Sequence, residues 1–495
     1  SFAIWPNSRY YHSVRSRHPF ISTIYEGKLF GRNPSVKGQA VSQEVYAGAY
    51  DLAQGPMTLR VGSGEVMITG IRIQPLDPEA YRLALYKNNP TANRRVIYNN
   101  DGFSLGFGVP GWDVRNFIDE QVKIFADSDA QQLDWGTLCT AVASYPSKAV
   151  DWFGDGVENW SREFERLAAE NFRKLEAVGM PLYPTMVKVG REFGLPIWGS
   201  LNMSAYYGEH PFGQALNGKL YREHPEYRIK LKDGSFKGGR AEMSMAHPAV
   251  REQRLGVPVE LAAMGCAGVN LDFCRYPEVL GYDDPLTKSF SELYGEDPRH
   301  LSDGDSRWMA HLAGFMNDYM RELRRRLNEV GRKRGESVKV SVRLPARDYR
   351  KYGLDPETWI KEGLVDILIP GYPGFERWFD PIPWVKMVAG TKVQIYPNIE
   401  NFIHETKQSE LTDEQVANGE KSGVQTKMTL EDYLRRAAEI YQAGGDGLNL
   451  FNNFGPGKPA SLNHLGDKES VKRWSEFEDR LKLGSEIVIL DQKTP

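Results

Sequence analysis

Cysteine is scarce in this chain. Its 495 residues include only Cys139, Cys266 and Cys274. Three thiols make no disulfide framework, and the lack of CxxC spacing removes the usual sign of a structural metal. Long apolar runs are missing too: none approaches the roughly 20 residues of a membrane-spanning helix, so the chain reads as soluble with no membrane partner. Nor does one sign of charge dominate. The 62 Lys and Arg face 65 Asp and Glu, for a net charge of −3, and no global field draws nucleic acid or an anionic membrane. Arg324-Arg325-Arg326 and Arg332-Lys333-Arg334 read as a solvated helix face. Gly106-Phe107-Gly108 is no GxGxxG, and no Walker loop occurs, so no nucleotide cofactor is expected. His210, His224 and His247, with Glu209 nearby, lack HExxH or similar spacing, and no metal is expected either. The opening at Ser1 without Met reads as a leader that has been removed.

What is present is length and aromatic surface. The chain is too long for one small domain and suits a large barrel with an accessory module. Aromatics make up 12%, with 11 Trp and 24 Tyr, which suits sugar-binding clefts as well as large cores.

Residues 1–92 form a region of short β-rich runs, Val45–Tyr50, Met57–Val61 and Val66–Ile73, separated by Gly and Pro turns. Gly62-Ser63-Gly64-Glu65 predicts a hairpin between the last two. A small antiparallel β domain is expected here. The tail at 485–491, with Ile487-Val488-Ile489-Leu490, reads as a strand that returns to it.

From about residue 93 to 484 the pattern becomes strand, amphipathic helix, strand. Candidate strands are Val96–Asn99, Leu133–Val142, Pro196–Met203, Ala267–Asp272, Lys339–Leu344, Val365–Pro370, Lys392–Pro397 and Gly447–Phe451. Eight strand–helix units predict a (β/α)8 TIM barrel, with strands read as near-continuous apolar runs buried on both faces. The loops after strands three, four and seven are long, and that of about 45 residues from Ser204 to Pro248 is rich in aromatics. Long loops inside a compact domain are more often functional lids than accidents.

The most informative segment is Gly268-Val269-Asn270-Leu271-Asp272-Phe273-Cys274-Arg275-Tyr276-Pro277. An apolar strand stops at an acid, and Arg and Tyr follow where ligands bind in α/β folds, at the carboxyl ends of parallel strands. With His247-Pro248-Ala249-Val250-Arg251 before it, this segment resembles the fourth-strand region of glycosyl hydrolase-like family ten. Trp359-Ile360-Lys361-Glu362-Gly363-Leu364-Val365-Asp366-Ile367-Leu368-Ile369-Pro370 is similar to that family's sixth strand, and His224-Pro225-Glu226-Tyr227-Arg228 to a further stretch. The ordered matches span roughly residues 95–455. The resemblance implies a TIM barrel and a glycosidase acting on polysaccharide or glycoconjugate outside the cytoplasm, secreted or periplasmic. The lengthened third and seventh loops and the β module depart from it and leave the substrate open.

Hydrolysing a glycoside usually takes two carboxyl groups across the scissile bond. Asp272 is the first candidate, as nucleophile or base, because related barrels use an acid at that place. Glu400, after strand seven, and Asp348, after strand five, are candidates for the second, although Arg347 beside Asp348 counts against an acid role. Asp380 and Glu242 stay open as further choices. Substrate positioning is assigned to Arg275, Tyr276, Trp198, Asn202, Tyr206, His247, Arg343, Tyr372, Tyr396, Asn398, Asn449 and Asn452. Amides and guanidinium groups match sugar hydroxyls or acidic groups, and rings stack on pyranose faces. Two arginines near the site point toward an anionic glycan. The alternative to a hydrolase is a catalytically silent glycan-binding barrel; a metal-dependent sugar isomerase ranks behind both. The sugar, the linkage and the oligomeric state stay open.

Overall fold

The structure is a computed structural model. It describes residues 68–80, 93–100, 128–139, 141–204, 213–236, 242–274, 277–372, 379–400, 430–451 and 465–483, with short stretches elsewhere. Its centre is a mostly parallel sheet flanked by helices. The strands are β1 (Val96–Asn100), β2 (Ala130–Cys139), β3 (Ile197–Asn202), β4 (Gly268–Asp272), β5 (Lys339–Pro345), β6 (Ile367–Gly371), β7 in two pieces (Gln394–Ile395 and Asn398–Ile399) and β8 (Leu448–Leu450). Each pairs in parallel with the next from β1 to β6. The first piece of β7 pairs with β6 and the second with β8, while β8 pairs with β1. β7 is thus split at the Tyr396-Pro397 step, and each of its pieces pairs along one edge only, the first with β6 and the second with β8.

The strands alternate, which corrects the expectation of near-continuous apolar runs. Successive side chains of a strand point to opposite faces. Leu133, Trp135, Leu201, Val269, Leu271, Val340, Val342, Leu344 and Leu368 belong to the large core under the helices. Between them stand Gln132, Asp134, Ser200, Asn270, Ser341, Asn398 and Asn449, all buried on the other face. Buried polar groups need partners, and here they find them across strands. Ser200 Oγ donates to Asn270 Oδ1 at 3.0 Å, and Asn270 Nδ2 to Ser341 Oγ at 2.8 Å. Below this layer Ile97, Trp198, Ile367, Ile369 and Tyr396 form a separate apolar cluster. Gly268 makes room for it, since a Cβ there would meet the Trp198 ring at 2.6 Å.

The helices follow ordinary terminal chemistry. α1 (Glu163–Ala177), α2 (Leu182–Glu192), α3 (Pro248–Ala263), α4 (Asp284–Tyr294) and α5 (Ser306–Arg334) lie between β2 and β5. In α5 the Asp305 side chain accepts from Arg307 N, which satisfies one orphan donor of the first turn. Pro248 opens α3 at a position where its missing N–H costs nothing. Among the described residues no helix is long and apolar enough to cross a membrane.

A second, antiparallel sheet is built from the two chain ends. Phe2–Ser8 pairs with Ile68–Pro75, Gln43–Glu44 and Gly48–Tyr50, and Val488–Asp491 pairs with the outer edge of Ile68–Pro75. Leu59–Val61 instead joins Val14–Ser16 in a three-stranded sheet with Ile24–Tyr25. The hairpin turn expected at Gly62–Glu65 lies outside the described residues; of the strands on either side, Leu59–Val61 pairs with Val14–Ser16, and Ile68–Pro75 with Phe2–Ser8 and Val488–Asp491.

Candidate active site

β4 and β5 run in register, so Asp272 at the end of β4 lies beside Arg343 of β5, with Asn202 of β3 on its other side. Arg343 Nη1 lies 3.1 Å from both carboxylate oxygens of Asp272. Its Nη2 donates to Glu400 Oε1 at 2.5 Å and to the Tyr372 carbonyl at 3.4 Å. Asn398 Nδ2 donates to the same Glu400 oxygen at 2.8 Å, and Cys274 N–H donates to Asp272 Oδ1 at 2.9 Å. One guanidinium thus holds two carboxylates from opposite sides of the strand ring. Gly371, at the end of β6, leaves space for this: a Cβ there would stand 2.7 Å from that of Asn398. The Phe451 ring lies 3.8 Å from the Arg343 guanidinium carbon and closes the remaining side.

Arg343, Asp272 and Glu400 are 1%, 4% and 5% exposed. Charges this deep are tolerated only when paired and hydrogen-bonded. Burial works against the Arg343 cation, but the facing charges of Asp272 and Glu400 outweigh it and raise its pKa. Cys274, next to the site, is buried and its thiol is pushed well up by burial, so it is no nucleophile.

The other expected residues divide. Tyr372 stands at the mouth, half-buried, its ring 5.8 Å edge-on to Phe379, and Asn398 and Asn449 face each other in register on β7 and β8. Trp198 and Tyr396 do not reach the mouth: both belong to the apolar cluster below, and the Tyr396 hydroxyl donates to Gln131 near the start of β2. The physical reason is the interruption of β7 at Pro397, which puts Tyr396 a layer deeper than its place near the strand end implied. Asp348 is exposed, in a left-handed turn with φ 55°, beyond the end of β5. Asp348 is three residues past the end of β5, and no contact of it with Asp272, Arg343 or Glu400 is seen among the described residues. His247 caps α3 away from the carboxylates, stacked at 4.6 Å on Tyr227, which stacks in turn on His224. Asp380 accepts from Ile382 N and serves as a turn cap. Arg275, Tyr276, Tyr206 and Asn452 lie outside the described residues. Among the described residues no three His, Cys, Asp or Glu side chains are grouped to hold a metal.

One carboxyl was missed in the sequence. Asp134 on β2 is fully buried, accepts from Gln132 Nε2 at 2.8 Å, and is close enough to Asp272 to sense its charge. Burial pushes it up from 3.8 to about 7, and Asp272 adds to the rise. The signal was the alternation Gln132, Asp134, Gly136 against Leu133, Trp135; placing the strand start at Leu133 hid it. Below pH 7 the folded state holds a proton on Asp134 that the unfolded chain has already released above pH 3.8. Stability contributed by that proton is therefore lost as pH rises across this window. Asp134→Asn is expected to be near neutral at about pH 4 and stabilising by on the order of a few kcal/mol at about pH 8. Urea titrations at both pH values check this; equal effects at both would contradict it.

No protein-family model and no curated protein matches the sequence. Solved structures do resemble the chain. One is a β-galactosidase from the psychrophilic Marinomonas ef1, at 10% identity and a TM-score of 0.46, covering 79% of this chain and 60% of that one. Another is a family GH18 chitinase from Chromobacterium violaceum, at 10% identity and a TM-score of 0.36, covering 76% of this chain and 71% of that one. The chain therefore spans less than two thirds of the galactosidase.

Proposed function

We propose that this chain is a (β/α)8-barrel glycoside hydrolase, acting outside the cytoplasm on a polysaccharide or oligosaccharide. Residues 93–484 would form the catalytic barrel, and residues 1–92 with the tail strand the accessory domain. The observation that carries the reading is the meeting of Asp272 and Glu400, from β4 and β7, on the two terminal nitrogens of Arg343. In the proposed reaction Asp272 attacks the anomeric carbon, and Glu400, once substrate has displaced it from Arg343 and it has taken up a proton, gives that proton to the departing oxygen. Glu400 then takes a proton from the water that cleaves the glycosyl ester. Arg343 fixes the spacing of the pair, and protonated Asp134 keeps a third negative charge away from Asp272.

A nucleophilic Asp272 implies a two-step reaction with retention at the anomeric centre. Proton NMR of the first-formed product is therefore expected to give the anomer of the substrate. An inverted first product would rule out Asp272 as nucleophile. A second reading, a glycan-binding barrel without turnover, is favoured by one feature: Arg343 satisfies both acids as a structural ion triad would. Binding across a polysaccharide panel with no new reducing ends would select it.

A further inference from the structure

Three amide oxygens on neighbouring strands have no donor among the described residues. Asn398, Asn449 and Asn99 sit on β7, β8 and β1, consecutive in the ring. Asn398 Nδ2 is committed to Glu400 Oε1 at 2.8 Å, and Asn449 Nδ2 to the Ile97 carbonyl at 3.3 Å. A carboxylate and a carbonyl only accept, so both amides are locked with nitrogen toward these partners and oxygen away. Asn99 Nδ2 is directed at Ser200 Oγ at 3.5 Å. The Oδ1 atoms of all three are buried without a hydrogen-bond partner. They are 1–4% exposed, no deeper in kind than Asp272 and Glu400 at 4% and 5%. Asn398 touches Glu400 directly, and Asn449 is its register partner on the next strand, so a ligand at Glu400 meets this row of amides first at Asn398.

Buried acceptors left open call for a donor. Among the described residues the nearest cation is already engaged: both terminal nitrogens of Arg343 are bound to Asp272, Glu400 and the Tyr372 carbonyl, and only its Nε is without a partner. Resting on the glycosidase reading, we infer that the sugar unit held at this site is neutral and presents hydroxyl donors to Asn398, Asn449 and Asn99. A uronate or sulfate there would meet acceptors and a guanidinium already neutralised by two carboxylates. A neutral sugar departs from the expectation of an anionic glycan as far as Arg343 carries it; Arg275, the other arginine behind that expectation, lies outside the described residues.

The test is calorimetric binding of the full-length chain to sulfur-linked oligosaccharides, which are not cleaved, in matched pairs. Glucose, galactose and mannose series are compared with their uronic counterparts, which differ only in the carboxylate. At least one neutral ligand is expected to bind at least tenfold tighter than its uronic partner. A uronic ligand that binds as tightly as its neutral partner, or tighter, would overturn the inference and leave the glycosidase reading in place. No binding by any ligand of either class would instead count against that reading. Replacing single hydroxyls of the bound sugar by fluorine, which cannot donate, is expected to cost at least tenfold at one or more positions. Retained affinity at every position would overturn the donor role.

Discussion

Arg343→Met is expected to lower the stability of the chain by about 3–5 kcal/mol, because it leaves two buried carboxylates without their shared cation. That is a large part of the roughly 5–15 kcal/mol that holds a typical native protein together. The triad is deeply buried, so solvent compensates only weakly for a lost guanidinium: Asp272 and Glu400 are 4% and 5% exposed. The loss should be specific to charge. Adding Asp272→Asn and Glu400→Gln to Arg343→Met removes the stranded charges and should recover most of the stability. Urea denaturation of the wild type, the single variant and the triple variant checks this. A single variant as stable as the wild type would mean that the carboxylates are not held through Arg343.

Asp272→Asn is expected to reduce kcat/KM on a hydrolysed glycan by about 10²–10⁴-fold, the usual contribution of a positioned catalytic carboxyl. Asn keeps an oxygen able to accept from Cys274 N–H and is nearly the same size, so the strand end should hold its shape. The Asn amide nitrogen faces Arg343 Nη1, so the variant should melt below the wild type, and reducing-end release is compared at a temperature at which both are folded. A variant that released sugar as fast as the wild type would remove Asp272 from the chemistry.

Much of this site was legible before any coordinates. Eight strand-like runs with helical patterns between them located the parallel sheet, and an acid closing the fourth run marked Asp272. Arg343 and Glu400 followed by the same logic of strand ends. What sequence could not give was register. Nothing local shows that β3, β4 and β5 align Asn202, Asp272 and Arg343 in one row, or that β7 pauses at Pro397 and so lowers Tyr396 to the level of Trp198. Depth was equally hidden: Trp198 and Tyr396 look like sugar-stacking rings until the ring closes over them. Asp134 was overlooked for a related reason: with the strand read as an apolar run from Leu133, the buried polar alternation Gln132, Asp134 did not stand out. The amino-terminal region failed where pairing is non-local. Phe2–Ser8 contains Pro6, a residue that weakens a strand signal, yet it is the partner of Ile68–Pro75.

The most direct test of the account is covalent trapping. Incubating the wild type with 2-deoxy-2-fluoro glycosides of neutral sugars carrying a good leaving group slows the breakdown of a glycosyl ester on the nucleophile. Mass mapping of tryptic peptides would then locate the label. The account predicts a single added sugar on peptide 255–275, which carries Asp272. A label on any other peptide, or glycan cleavage by an enzyme that never takes up the label at Asp272, would contradict it.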